Sequence, residues 1–299
     1  MPNPDIYVYG MTCLSTIHLL DGKYPEPDSY REIKQTYIVP SGEGGNAALI
    51  LANFGLKVKL DGPHLGTRTQ QPTLEFYKKH KIDCSDMWHN PGFEGYEDLV
   101  LVGGDTRTIF GKFGSHLFGG GQRWSNPDMK AIKSSKVVSL DPFFGRESES
   151  AAAACAENKR KYVTIDLKPE GFICGNAAAV VISKEFTDRE LPGIKKEKLF
   201  RKYANNTEGL AILTYGGKEI LYGRAGGKVK KFTPYKVKVK GTLAAGDIFR
   251  AGIVYGVYKG WDDRKTVAFG AAVGALACER FPAALNPPEL REVMKLMNA

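Results

Sequence analysis

Gly241-Thr242-Leu243-Ala244-Ala245-Gly246-Asp247-Ile248-Phe249-Arg250-Ala251-Gly252 is the stretch that decides how this chain of 299 residues is read. Upstream of it, Val237 and Val239 alternate with lysines in the manner of a strand end. Downstream, Ile248, Phe249, Ile253, Val254 and Val257 recur at helical spacing, which predicts a helix from about Asp247 to Lys259. Small residues ahead of a helix let an anion approach bare backbone N–H groups at its positive end. A carboxylate there is either an N-cap or a base beside a bound phosphate.

A second small-residue element lies far upstream, Gly42-Glu43-Gly44-Gly45-Asn46-Ala47-Ala48, at the start of a predicted helix over Glu43 to Phe54. Asp5 to Gly10 reads as a first buried strand, and Val58 to Leu60 as the next. Predicted helices at Thr73–His80, Ser148–Lys159, Lys196–Ala204 and Lys265–Cys278 alternate with strands at Val137–Leu140, Tyr162–Ile165, Val180–Ile182 and Leu210–Thr214. That rhythm predicts a mainly parallel sheet covered on both faces. Two segments break it. Ile17 to Val39 carries Pro25 and Pro27 and few helix cues, and Tyr96 to Phe113 reads as a hairpin around Gly103-Gly104-Asp105. Gly114 to Gly121 reads as loop.

Composition narrows the class. An apolar fraction of 42% supports a sizeable core, and no run of about 18 apolar residues predicts a membrane span. Met1 to Asp5 lacks the basic-then-apolar order of a secretory leader, so a cytoplasmic protein is expected. Cys13, Cys84, Cys155, Cys174 and Cys278 are odd in number and scattered, which points to buried thiols in a reducing compartment. The histidines show no metal-ligand spacing. The net charge is +9, but the lysines are dispersed apart from Lys228 to Lys240, where they alternate with apolar residues like the outer face of strands. No nucleic-acid-binding pattern accompanies them.

The two small-residue elements, in this order and at this separation, resemble the ribokinase-like (PfkB) carbohydrate kinases. There an Asp-Thr-x-[Gly/Ala]-Ala-Gly-Asp run carries the anion hole and catalytic base, and a Gly-Gly-Asn-x-Ala element meets the sugar. Lys23-Tyr24-Pro25, Asp28 and Thr106-Arg107-Thr108-Ile109 bring the resemblance nearest the ketohexokinase and ribokinase branches. It implies one kinase domain over residues 1–299, a three-layer α/β/α fold with a mainly parallel central sheet, and a small β-sheet lid from segments near 15–39 and 96–113. It also implies an enzyme that uses ATP and Mg²⁺ to phosphorylate a primary hydroxyl of a sugar or sugar-like molecule, and a homodimer formed through the lid.

Carried over residue by residue, the resemblance makes Asp247 the base. Ala244, Ala245 and Gly246 complete the catalytic loop, and the N–H groups of Ala245, Gly246 and Asp247 form the anion hole. Gly44, Gly45 and Asn46 meet the substrate. Thr214, with Gly216 and Gly217, and Ser183 lie near the ATP phosphates, and Gly274, with Ala271 and Cys278, near the adenine. Glu185 acts on Mg²⁺ through water. Arg107 meets a hydroxyl or a phosphate from the lid, or is a plain surface arginine. Asp28 reaches a neighbouring subunit's site, or is a turn residue after Pro27. Asp141 or Arg146 reaches the substrate from a strand-end loop, or neither does.

Two positions depart from the family. Gly241 stands where an Asp usually helps bind a monovalent cation, which puts potassium activation in question. Ser15 stands where an Asp usually binds paired sugar hydroxyls, so Asp28 or Asp21 supplies that carboxylate or the substrate lacks the diol. Rival readings are a nucleoside kinase with Phe110, Phe113 or Phe143 as the base slot, a sugar-phosphate kinase, and a non-catalytic sugar or nucleotide sensor. A dinucleotide-dependent oxidoreductase is opposed by the lack of a GxGxxG after the first strand.

Overall fold

Ile6 and Val8 of the first strand face one hydrophobic core while Tyr7 and Tyr9 face another. Every central strand repeats this division: Val137, Val163, Val181 and Ile212 go to the first core, and Val138, Tyr162, Val180 and Leu213 to the second. Strands buried on both faces need helices on both, and that requirement produces three layers. The computed structural model describes residues 3–104 and 106–298.

The main sheet has eight strands in the order β12-β11-β10-β9-β8-β7-β1-β4. Its six parallel members are β1 (Ile6–Tyr9), β4 (Val58–Asp61), β7 (Val137–Leu140), β8 (Lys161–Ile165), β9 (Ala179–Ser183) and β10 (Leu210–Thr214). β11 (Ile220–Gly223) and β12 (Lys230–Phe232) extend it antiparallel. Helices α1 (Glu43–Asn53), α2 (Gln70–Lys79), α9 (Ala245–Lys259), α10 (Asp263–Cys278) and α11 (Leu290–Met297) contribute to the first core. Helices α4 (Met129–Ser134), α5 (Arg146–Glu157), α6 (Phe172–Gly175), α7 (Lys184–Glu190) and α8 (Lys196–Asn206) contribute to the second.

The two segments that broke the rhythm form a separate four-stranded sheet, β3-β2-β5-β6. Its strands are β2 (Cys13–Leu20), β3 (Ile33–Ser41), β5 (Glu97–Gly103) and β6 (Thr106–Gly111). β2–β3 and β5–β6 are antiparallel hairpins, and β2 joins β5 in parallel, with Ser15 opposite Asp98 and Thr16 opposite Leu99. Asp105, expected at the β5–β6 turn, lies outside the described residues.

Two expectations need correction. Gly114 to Gly121 is not all loop, because α3 (Phe113–Phe118) forms there. Phe113 and Leu117 pack against the second core, and the Phe113 ring stacks on Tyr96 at 6.3 Å, which holds this short helix in place. Val237 and Val239 are not in a strand; the ladder stops at Phe232. Pro234 has no N–H to continue it, and Val239 is 58% exposed. The five cysteines are all free, as expected, with Cys13, Cys155 and Cys174 buried.

Candidate active site

Parallel strands deliver their C-terminal ends to one edge of the sheet, and the lid covers that edge. Between them lies a cleft of about 1050 Å³, lined by residues from β2, α1, β5, β6, β8, β9, α7 and the start of α9. The 241–252 stretch enters here. Ala244 adopts the left-handed conformation (φ 61°, ψ 7°) and turns the chain into α9. The Ala245 N–H bends back at 3.3 Å to the Thr242 carbonyl. The N–H groups of Gly246 and Asp247 have no backbone acceptor among the described residues, so they are the first free donors of the helix.

Asp247 sits in the first turn, and its Oδ2 accepts a hydrogen bond from Asn46 Nδ2 at 2.9 Å. Asn46 also approaches Ser41 Oγ at 3.4 Å. Burial pushes the Asp247 carboxyl up to about 6, against the pull of Arg250 and Asn46. Glu43, at the start of α1, is pushed further, to about 8, by burial and by the Asp247 and Asp141 charges. Both carboxyls are thus raised by burial, and the neighbouring charge pushes Glu43 further toward its protonated form.

What holds Asp247 in place is a buried spine. Arg250, one helical turn on and fully buried, pairs with Asp141 and donates to the Glu43 carbonyl. Asp141 Oδ2 accepts from the Met11 N–H at 2.7 Å. Four segments are tied through one guanidinium: α9, the end of β7, the start of α1 and the chain leaving β1. Asp141 therefore positions the site instead of reaching the substrate, and Arg146 is not on the cleft wall.

On the far wall, Asp166 follows β8 at φ 44° and accepts hydrogen bonds from the Ser183 N–H at 2.7 Å and Ser183 Oγ at 2.9 Å. Burial raises its carboxyl. Arg107 crosses from the lid, donating to Thr242 Oγ1 at 2.8 Å and to Glu185 Oε1 at 3.2 Å. The lid therefore contacts both the loop before α9 and the wall opposite.

Of the residues singled out from sequence, Ser15, Asn46, Arg107, Ser183, Glu185, Thr214, Ala244, Ala245, Gly246 and Asp247 line the cleft. The others do not. Gly44 and Gly45 were expected to admit a ligand. Instead a Cβ at 44 would strike the Gly10 backbone at 2.5 Å, and one at 45 the Tyr77 hydroxyl at 2.2 Å, so they let α1 seat against its neighbours. Gly274 packs against Phe249 and Ala245 of α9. Gly216 and Gly217 form the exposed turn after β10. Asp28 and Asp21 are exposed on the β2–β3 connection, so within one chain neither supplies the carboxylate that Ser15 lacks. Gly241 lies under the Phe281 ring, 2.7 Å from where a Cβ would stand, so a larger residue there displaces that ring.

Several polar cleft residues escaped the sequence reading, among them Glu43, Asp98, Asp166, Lys168, Arg189 and Glu190. Asp166 carried a signal, since it ends a strand at the edge where open α/β folds bind ligands. Among the described residues no three acidic, histidine or cysteine side chains gather as a metal site. Magnesium entering with a nucleotide needs no such cage; it takes one or two carboxylates together with phosphates and water. Asp166 and Glu185 are of that kind.

Comparison with known proteins agrees with this geometry. Residues 3–290 match the family described as pfkB family carbohydrate kinase. A curated 5-dehydro-2-deoxygluconokinase from Clostridium perfringens is 22% identical over 261 residues, 79% of this chain and 77% of that protein. The structure of Arabidopsis thaliana ribokinase complexed with ribose and ATP superposes with a TM-score of 0.82 at 16% identity, covering 100% of both chains. A nucleoside kinase from Methanocaldococcus jannaschii does so with a TM-score of 0.78 at 18% identity, covering 100% of this chain and 99% of that one. With the family match running through both the Asn46 and the Asp247 elements, the chain belongs to the pfkB family of carbohydrate kinases.

Proposed function

We propose that this kinase transfers the γ-phosphate of ATP to a primary hydroxyl of a sugar, with Asp247 as the proton acceptor. The observation that carries this reading is the Asn46–Asp247 hydrogen bond at the mouth of α9. It joins a neutral amide, able to donate and accept, to a carboxylate beside free helix N–H groups. Asp247 takes the proton of the attacking hydroxyl. The Gly246 and Asp247 amides stabilise charge on the transferred phosphoryl group, a role in which one lost donor costs roughly 10²-fold or more. Magnesium, when bound with ATP, would offset the phosphate charge. Glu185 and Asp166 would hold it through water, and Arg107 is within reach of the same phosphates. Thr214 and Ser183, both on the cleft wall, would flank the nucleotide.

Acceptor identity is tested by ATP consumption with Mg²⁺ against ketoses, aldoses, nucleosides, sugar acids and sugar phosphates. Turnover on a sugar is expected. Turnover confined to nucleosides would transfer the assignment to a nucleoside kinase. ATP binding with no turnover on any acceptor would favour the sensor reading.

The lid supports a homodimer. Register places Ile38, Thr16, Leu99 and Phe110 in one row across all four strands, on the face away from Ser15 and Asp98. Ile38 is 63% and Phe110 53% exposed, an apolar stripe suited to a second copy. Phe110→Asp should lower the mass measured by light scattering from dimer to monomer, and an unchanged mass would refute the lid contact.

A further inference from the structure

Asp98 is the cleft residue whose chemistry remains unused. It stands on the inner face of the lid, directly opposite Ser15 in the β2–β5 register. Ser15 is 1% exposed. Asp98 Oδ2 faces the Cys13 thiol at 3.8 Å, the Ser15 hydroxyl lies close enough to favour its charged form, and Oδ1 is buried without a hydrogen-bond partner among the described residues. A carboxylate oxygen shut away from water and unbonded is costly unless a ligand donates to it. Ser15, Ser41 and Asn46 share this end of the cleft and add neutral donors and acceptors. Among the described cleft residues contributed by the lid strands the cation is Arg107, already engaged by Thr242 and Glu185 toward the other wall. Lys168 and Arg189 belong to the β8 and α7 side, with Asp166 and Glu185.

We infer that Asp98, with Ser15, is the specificity determinant of the acceptor site: it takes a pair of adjacent hydroxyls from an uncharged polyol and rejects acceptors bearing a carboxylate or phosphate at that end. The inference rests on the sugar-kinase reading above. Two neighbouring hydroxyls can donate to the two oxygens of one carboxylate once the Asp98 side chain turns its orphan oxygen toward the cleft. An anionic group in the same place would meet like charge with no free cation to offset it.

The test is calorimetric binding of D-fructose, D-ribose and D-glucose against D-gluconate and D-fructose 6-phosphate, with Mg²⁺ and a non-hydrolysable ATP analogue present. A neutral sugar should bind, and the anionic compounds at least about 10-fold more weakly. Asp98→Asn removes the charge at constant shape and should weaken neutral-sugar binding by about 10-fold or more, leaving ATP-analogue affinity and the denaturation midpoint near wild type. Ser15→Ala should give a smaller loss in the same direction, and decides the matter if Asp98→Asn does not fold. Three results overturn the inference: no neutral sugar binds, an anionic compound binds as tightly as its neutral counterpart, or Asp98→Asn leaves neutral-sugar affinity unchanged. ATP consumption by the same samples separates the two readings. Neutral-sugar binding without turnover refutes the kinase chemistry while the Asp98 assignment stands, and turnover with unaltered affinity in Asp98→Asn does the reverse.

Discussion

Replacing Asp247 by Asn should cost activity and add stability at once. The carboxyl is raised from 3.8 to about 6, with burial as the main cause. Holding its charged form in the folded cleft at pH 7 therefore costs about 3 kcal/mol at most. Contact with cleft water brings that nearer to about 2 kcal/mol. Asparagine keeps the shape and an oxygen for Asn46 but sheds the charge. Because the folded value lies above the unfolded one, the penalty is fully present above pH 6 and fades as pH falls toward 4. Urea denaturation at pH 7 should show Asp247→Asn to be more stable by about 2–3 kcal/mol, and the gap should narrow at pH 5. Turnover should drop by roughly 10²–10⁴-fold, the usual share of general base catalysis. Wild-type turnover should itself fall as pH drops through about 6, where Asp247 takes up a proton. A variant less stable than wild type would refute the burial argument, and near-wild-type turnover would refute the base.

Other perturbations probe the surroundings of Asp247. Arg250→Met leaves the fully buried Asp141 uncompensated and should destabilise the fold by about 3–5 kcal/mol in the same assay; a loss below about 1 kcal/mol would show that the spine is dispensable. Ala244→Gly relieves a left-handed alanine at the entry to α9 and should raise stability by about 1 kcal/mol, whereas a loss would mean that the conformation is not strained. With Gly241 packed under Phe281 and no side-chain oxygen at that position, turnover should be the same in potassium and sodium salts. Marked stimulation by potassium would locate a cation site elsewhere.

The layered fold was legible because each parallel strand feeds two cores, and apolar runs such as Val137–Leu140 and Leu210–Thr214 report that directly. Asn46 and Asp247 were legible because small residues beside a helix start leave a local mark. Asp98 was not, because its partnership with Ser15 depends on the parallel β2–β5 pairing of residues 83 positions apart, and no local pattern encodes that register. Gly44 and Gly45 show a related limit: sequence signals a close approach there but not that Gly10 and Tyr77 make it. Arg250 reads as one charge in an apolar helix, and only the fold brings Asp141 to it. The glycines from 114 to 121 signal loop, while Phe113 and Leu117 anchor a helix through contacts distant in sequence.

The hydrogen bond between Asn46 and Asp247 spans 201 positions, and this bears on how the protein comes into being on the ribosome. At 5–20 residues per second, roughly 10–40 s separate the emergence of the two partners. Through that interval α1 and the strands on either side of it lack α9, the helix that covers them on one face and carries Arg250 to Asp141. The nascent chain therefore presents an unfinished apolar layer to the cell and no working centre, and the arrival of α9 closes both together.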